Sequence, residues 1–244
     1  MKARLLFIAR ATVSFCLMSL GAAVMLACAI ATFFNTPRFY REKIGAPLGR
    51  AILNVWGIRF AVHGAPAPAQ VQTVYVSNHT STVDMFVLIA LGLPNTRFFL
   101  SGYLRKLLPL GLIGYLIGIF WTVPQSFPQR RTAIFRRAER ALRRTGESVY
   151  LSPEGERITS GEIGHFNKGA FHLATALGAP LAPMYLFIPR ACNPGKGLDA
   201  RPGTVHVHFR EPIATRGWRV EDVDRNRDHM RDFYVAWHRE LREA

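Results

Sequence analysis

Apolar positions along this chain follow two regimes. The first is continuous: from Ala11 to Phe34 there are 24 residues in a row without a charge. At about 1.5 Å per residue, a helix of that length crosses roughly 30 Å of hydrocarbon. The run predicts a helix that spans or embeds in a membrane. Two other readings compete: a cleaved signal peptide, with Lys2, Arg4 and Arg10 in front and small residues around Ala27, and a lipoprotein site at Cys28. Because the apolar run continues through Ile30 and Phe33, past any such cleavage point, an uncleaved anchor fits better. Lys2, Arg4 and Arg10 before the run are balanced by Arg38, Arg41 and Lys43 after it, so charge does not orient the anchor.

The second regime alternates. Short β-type runs at Arg59–His63, Val74–Ser77, Arg97–Leu100, Phe120–Val123, Ser148–Ser152, Leu181–Phe187 and Thr204–Phe209 are separated by helical patterns at Asp84–Leu91, Thr132–Arg144 and Gly169–Leu177. This alternation predicts an α/β sandwich around a mostly parallel or mixed sheet, preceded by the membrane helix. Near the end, Met230, Phe233, Tyr234, Trp237 and Leu241 share one helical stripe, which predicts a terminal helix packed on the sheet. Gly64–Gln70 reads as a surface turn between two strands. The resulting division is an anchor over 1–40 and one catalytic domain over 41–244. A further apolar stretch, Leu107–Trp121, is broken by Pro109, Gly111, Gly114 and Gly118 and is too short for a membrane span. It reads either as a shallow membrane contact or apolar groove, or as an ordinary buried helix and strand.

Charge narrows the partners. Lys and Arg number 31 against 16 Asp and Glu, a formal net charge of +15, which points to an anionic partner: a phospholipid surface, nucleic acid or a phosphorylated small molecule. Seven of the arginines fall between Gln129 and Arg144 (130, 131, 136, 137, 140, 143, 144), while Ile134, Ala138, Ala141 and Leu142 keep an apolar stripe, an amphipathic helix with a basic outer face. Nucleic-acid binding would account for the charge but not for the anchor. The 3 cysteines, Cys16, Cys28 and Cys192, suggest neither a disulfide framework nor a thiolate metal site, as expected in a reducing compartment. His206 and His208 share one side of a strand but have no third metal ligand at suitable spacing, and His165 and His172 fare no better.

The candidate chemistry sits in Val74-Tyr75-Val76-Ser77-Asn78-His79-Thr80-Ser81-Thr82-Val83-Asp84, a strand that ends in a polar turn and enters a helix. In a continuous helix, five residues at about 100° each would turn His79 and Asp84 roughly 140° apart. They can face each other only if His79 precedes the helix and Asp84 lies in its first turn, with Thr80, Ser81 or Thr82 as cap. That places an imidazole at a strand's carboxyl end, where open α/β sheets bind ligands. With Asp84 holding one ring nitrogen, the other is left as a base able to deprotonate a hydroxyl. A serine nucleophile is the competing mechanism, but no Gly-x-Ser-x-Gly elbow is present around Ser77 or Ser81. Downstream, Pro153-Glu154-Gly155-Glu156-Arg157 ends another strand. Arg157 could grip a phosphate and Lys168 add a charge where the next helix begins, or the segment is a plain surface turn.

These blocks resemble the glycerolipid acyltransferase superfamily, which includes the 1-acylglycerol-3-phosphate acyltransferases. The likeness rests on Asn-His-x4-Asp (Asn78, His79, Asp84), Pro-Glu-Gly-x-Arg (Pro153, Glu154, Gly155, Arg157), Phe-x-Lys-Gly (Phe166, Lys168, Gly169) and Pro180-Leu181-Ala182-Pro183, in that order from about Val74 to Met184. The resemblance makes 41–244 an acyltransferase domain. It implies His79 as general base, Asp84 as its orienting partner, and Glu154, Gly155 and Arg157 as the phosphate side of the acceptor pocket. It further implies a lysophospholipid acceptor, acyl-CoA or acyl carrier protein as co-substrate, no cofactor or metal, a membrane phospholipid setting and no nucleic acid. The inner or cell membrane, with the catalytic domain facing the cytoplasm where the donors are, is the implied location. Two positions depart from the family pattern. Thr122 and Val123 stand where an Asp-Arg pair is usual, with Arg130 or Arg131 as candidate replacements, and Glu156 replaces a small hydroxyl residue. Lysophosphatidic acid is the default acceptor. A different lysolipid, such as a lyso amino-acid lipid, and a catalytically idle lipid-binding relative are the alternatives.

Overall fold

The computed structural model describes residues 1–243. Helix α1, Lys2–Ala31, contains the uncharged run, and α2, Pro37–Phe39, passes through a π segment at Tyr40–Gly45 into α3, Ala46–Val55. Seven strands form one sheet: β1 Ile58–His63, β2 Val74–Ser77, β3 Thr96–Ser101, β4 Phe120–Thr122, β5 Ser148–Leu151, β6 Leu181–Phe187 and β7 Gly203–Phe209. Their spatial order is β1-β7-β6-β2-β5-β3-β4. All pairings are parallel except β6 with β7. The remaining helices are α4 Val83–Leu91, α5 Leu110–Leu116, α6 Pro128–Thr145, α7 Gly169–Leu177 and α8 Val223–Glu243.

The sheet is covered on both faces, which is why β2 and β5, apolar except for Ser77 and Ser148, are buried throughout. Val76, Val149 and Leu151 pack with Leu142 of α6, Phe171 of α7 and Met230, Tyr234 and Trp237 of α8. On the opposite face Tyr75, Phe98 and Tyr150 pack with Leu53 of α3 and Val87 and Leu88 of α4. The terminal stripe thus docks as its periodicity predicts. A third cluster joins Ala22, Met25 and Ala29 of α1 to Tyr40 and to Ile113, Leu116 and Ile117 of the α5 region.

Helix α3 is an element the sequence reading lacks. Gly45, Pro47 and Gly49 read as breakers, yet Pro47 lies in the first turn, where it is tolerated. Gly49 is there for proximity: a Cβ at that position would lie 3.0 Å from the backbone nitrogen of Ala90 in α4. The broken stretch Leu107–Trp121 resolves into α5 and β4. Helix α5 packs on α1 but leaves Tyr115 exposed, and Leu108 just before it is exposed as well. With α1, α3 and α4 it lines a narrow apolar pocket of about 40 Å³, among whose walls are Met18, Leu48, Met85, Phe86, Ile113 and Ile119. Helix α1 is the one helix among the described residues long and apolar enough to cross a membrane. Leu5, Leu6, Ile8, Phe15 and Leu20 face outward on it.

Pro183 lies inside the central strand β6, opposite Val76 of β2, and brings no N–H to the ladder. The hydroxyl of the fully buried Tyr234 lies 2.8 Å from the Val76 carbonyl and 2.7 Å from that of Met184, and accepts from the Met184 N–H at 3.0 Å. A helix side chain thereby completes the strand pairing beneath the candidate site. Tyr234→Phe is expected to lower stability by about 1–3 kcal/mol, the cost of an unsatisfied buried polar group. Denaturant unfolding in detergent checks this, and an unchanged midpoint contradicts the bridging role.

Candidate active site

Strand β2 ends at Ser77, whose hydroxyl pairs with Tyr150 at 2.8 Å and donates to the Asn78 carbonyl at 2.8 Å. The next residue pins the turn. The Asn78 amide donates to the Leu186 carbonyl at 3.0 Å and accepts from the Leu186 N–H at 2.8 Å, so one buried side chain bonds both ways to β6. His79 follows outside the helix, and Asp84 occupies the first turn of α4, as the spacing requires. His79 Nδ1 lies 2.7 Å from Asp84 Oδ2. The same oxygen accepts the N–H groups of Thr80 at 2.8 Å and Ser81 at 3.0 Å. A carboxylate oxygen that already accepts two backbone bonds makes Nδ1 the protonated nitrogen, which leaves Nε2 with the lone pair. Asp84 is fully buried and has no lysine or arginine partner among the described residues, so its charge acts on the imidazole.

The helix start differs from expectation in detail. Ser81 Oγ accepts the Val83 N–H at 3.2 Å, but Thr82 provides no cap and turns toward the Gly195 carbonyl and Arg157. The larger capping contribution runs backward, from Asp84 to the turn before it.

Of the expected substrate-binding set, Glu154 is the most deeply buried. A Pro-Glu-Gly turn suggests an exposed carboxylate, whereas Glu154 is buried, its Oε2 accepting the His79 N–H at 2.5 Å and its Oε1 the Gly164 N–H at 2.8 Å. It braces the backbone of His79. Burial outweighs these hydrogen bonds and pushes its carboxyl up to about 7. Gly155 has φ +72°, and a Cβ there would lie 2.8 Å from Asn167 Nδ2, so only glycine fits the turn. Arg157 Nη1 donates to Thr82 Oγ1 at 2.5 Å, which ties the second motif to the first and leaves its other donors uncommitted to any side chain among the described residues. Lys168, expected to add a charge where the next helix begins, pairs its ammonium with Asp224 at the start of α8, 2.8 Å away.

The two candidate replacement arginines separate. Arg130 stacks over Phe127 at 5.2 Å. Arg131 donates to the Val123 carbonyl at 3.0 Å and so brings a guanidinium to the place where the usual arginine is missing. Away from this site, His206 and His208 gain a neighbour that sequence spacing concealed. His63 Nε2 lies 3.0 Å from His206 Nδ1 and the His63 ring stacks on His208, yet among the described residues no group of three ligands is arranged to hold a metal ion.

Glu154 yields a signed pH dependence. Its carboxyl ionises near 4.5 in the unfolded chain and near 7 in the fold, so the folded state holds the extra proton across that window. The contribution of this group to stability therefore falls as pH rises from about 4.5 to about 7. Thermal unfolding of the parent is expected to lose stability across that range relative to Glu154→Gln measured alongside. Parallel curves would contradict the burial argument.

Comparison with known proteins agrees with the geometry. A family model described as Acyltransferase matches residues 59–186. A 1-acyl-sn-glycerol-3-phosphate acyltransferase of Cocos nucifera is 24% identical over 193 residues, covering 78% of this chain and 61% of that one. The 1-acyl-sn-glycerol-3-phosphate acyltransferase beta of Homo sapiens is 33% identical over 181 residues, covering 71% and 63%. The chain thus spans about three-fifths of the length of these relatives. The crystal structure of the 1-acyl-sn-glycerophosphate (LPA) acyltransferase PlsC from Thermotoga maritima has the same fold, with a TM-score of 0.75 over 96% of both chains at 18% identity. With over half its length matched by the family model and the motif residues assembled around one turn, this chain belongs to the acyltransferase family.

Proposed function

We propose that this protein transfers a fatty acyl group from an acyl thioester, acyl-CoA or acyl carrier protein, to the free hydroxyl of a lysophospholipid, with 1-acylglycerol-3-phosphate as the acceptor. The observation that carries this reading is the 2.7 Å contact between His79 Nδ1 and Asp84 Oδ2, which leaves Nε2 free to act. Nε2 takes the acceptor's hydroxyl proton as its oxygen attacks the thioester carbonyl. The tetrahedral intermediate then collapses, the C–S bond breaks, and the leaving thiolate recovers the proton from the imidazolium. Asp84 stabilises that imidazolium while it exists. Direct transfer is favoured over an acyl-enzyme because Ser77 and Ser81 are buried, with hydroxyls engaged by Tyr150 and by the Val83 N–H.

Arg157, with Arg131 beside Val123, offers the acceptor's phosphate two guanidinium groups, and Gly155 lets the backbone approach it. The apolar pocket against Met85 and Phe86 is too small to enclose a long acyl chain, so only the part nearest the carbonyl is seated there and the rest runs along the outward apolar faces of α1 and α5. Residues 1–40 serve as the anchor. Placement at the inner or cell membrane with the catalytic domain on the cytoplasmic side follows from where the donors are. The Thr122-Val123 departure and the pairing of Lys168 with Asp224 favour one second reading, a lysolipid with a different head group such as a lyso amino-acid lipid.

The test is release of thiol from an acyl thioester in the presence of a panel of lysolipids. Transfer is expected with 1-acylglycerol-3-phosphate, and His79→Ala should reduce kcat by about 10²–10⁴-fold. Absence of transfer to every acceptor, with His79→Ala indistinguishable from the parent, would overturn the enzyme reading.

A further inference from the structure

A cavity beside the candidate site plays no part in the mechanism above. It occupies about 280 Å³, near the lower end of the size range of small-molecule sites. Asn78 and Thr80, the residues flanking His79, form one wall. The segment after the Pro-Glu-Gly turn, Ile158 to Ile163, forms a second, and it is bonded to the turn directly: the Ile158 N–H donates to the His79 carbonyl at 2.8 Å. The segment after β6 closes a third side, and the Thr82 N–H donates to its Gly195 carbonyl at 3.0 Å. A ligand in this cavity therefore touches the turn that carries His79 and two segments that hydrogen-bond to it.

The chemistry of the lining selects the ligand. Arg190 and Arg242 stand at the exposed rim, and neither is in an ion pair among the described residues. By contrast Arg210 and Arg227, also near or on α8, are matched with Glu240 and with Asp224 and Asp228. The backbone at Gly161 lies against Arg242, since a Cβ there would be 3.5 Å from its Nη2. Glu162 is the one carboxylate in the lining, against two guanidinium groups. The floor is polar but already satisfied, with the buried pair Tyr185 Oη and His238 Nδ1 at 2.5 Å. Asn193 Oδ1 accepts the Gly195 N–H at 2.7 Å, which leaves its amide N–H groups as donors. The result is a pocket rich in donors, carrying two guanidinium groups without an ion pair among the described residues and adjoining the residues that flank His79.

We propose that this cavity is a second phosphate-binding subsite, in which Arg190 and Arg242 hold a phosphate group of one of the two substrates. The proposal rests on the acyltransferase reading for the identity of the ligand. Two sources share the chemistry: the phosphates of coenzyme A in the donor, and the acceptor's glycerophosphate, which would then sit here in place of the Arg157 and Arg131 position. Neither Arg157 nor Arg131 is among the residues that line this cavity. Guanidinium groups at a rim meet a dianion by bidentate contacts, so lysine should restore the charge but only part of the binding.

Steady-state kinetics of the full-length protein in detergent would compare the parent with Arg190→Gln, Arg242→Gln and the corresponding lysine variants, with Arg201→Gln as a control for loss of an exposed charge. Each glutamine variant is expected to raise one substrate's KM by about tenfold with kcat changed far less, and lysine to recover part of the loss. A rise in the KM of the lysolipid assigns the subsite to the acceptor. A rise in the KM of acyl-CoA assigns it to the donor. Unchanged KM values for both substrates overturn the proposal. Direct titration separates this result from failure of the acyltransferase reading, because it needs no turnover. The parent should bind sn-glycerol 3-phosphate or coenzyme A, and the double glutamine variant should bind that probe about tenfold more weakly. Equal binding by parent and double variant, or binding of neither probe by the parent, overturns the subsite even if no acyl transfer is ever seen.

Discussion

One oxygen atom, Asp84 Oδ2, accepts three hydrogen bonds at once, from the imidazole of His79 and from the backbone of Thr80 and Ser81. These contacts fix where the turn lies and which ring nitrogen carries the proton, and they do so with a charge shielded from water. The arrangement requires an abrupt change from strand to helix, because five residues of continuous helix would separate the pair. Both neighbouring motifs then fall into place around it. Asn78 holds the front of the turn to β6, Glu154 holds the His79 backbone from below, and Arg157 reaches Thr82 behind it. Segments far apart in sequence meet at one turn because each is bonded to it.

The sheet makes this possible by stacking the carboxyl ends of parallel strands. Strands β2 and β5 lie side by side, so the turns that leave them, one bearing His79 and the other Glu154, are neighbours. Strand β6 on the other flank of β2 supplies the backbone that Asn78 grips. Its Pro183 would weaken that flank were it not for the hydroxyl of Tyr234, which restores a donor from α8. The terminal helix therefore supports the strand pairing beneath the site.

Much of this was legible in the chain. The strands announced themselves as short apolar runs bounded by Gly, Pro and polar residues, and the seven expected runs correspond to the seven strands within a residue or so at each end. The pairing of His79 with Asp84 could be inferred because both its conditions, a strand end and a first helical turn, are local. What escaped were contacts made across the fold. Helix α3 was hidden by Gly45, Pro47 and Gly49, which break propensity, although Gly49 serves the packing against α4. Glu154 looked like a solvated turn residue, and its burial comes from the His79 N–H, 75 residues away in sequence. Lys168 looked like a free charge until α8 brought Asp224 to it. In each case the deciding partner is remote in sequence, and no local pattern encodes it.

The central claim is that Asp84 fixes His79 as an Nδ1-protonated imidazole whose Nε2 is the base. Nitrogen-15 NMR of the histidine-labelled protein in detergent, with His79 assigned by its loss in His79→Ala, reports this directly. The account predicts, for neutral His79, a pyrrole-type Nδ1 and a pyridine-type Nε2, with that preference lost in Asp84→Asn. A His79 protonated on Nε2, or one whose tautomer is indifferent to residue 84, would contradict it.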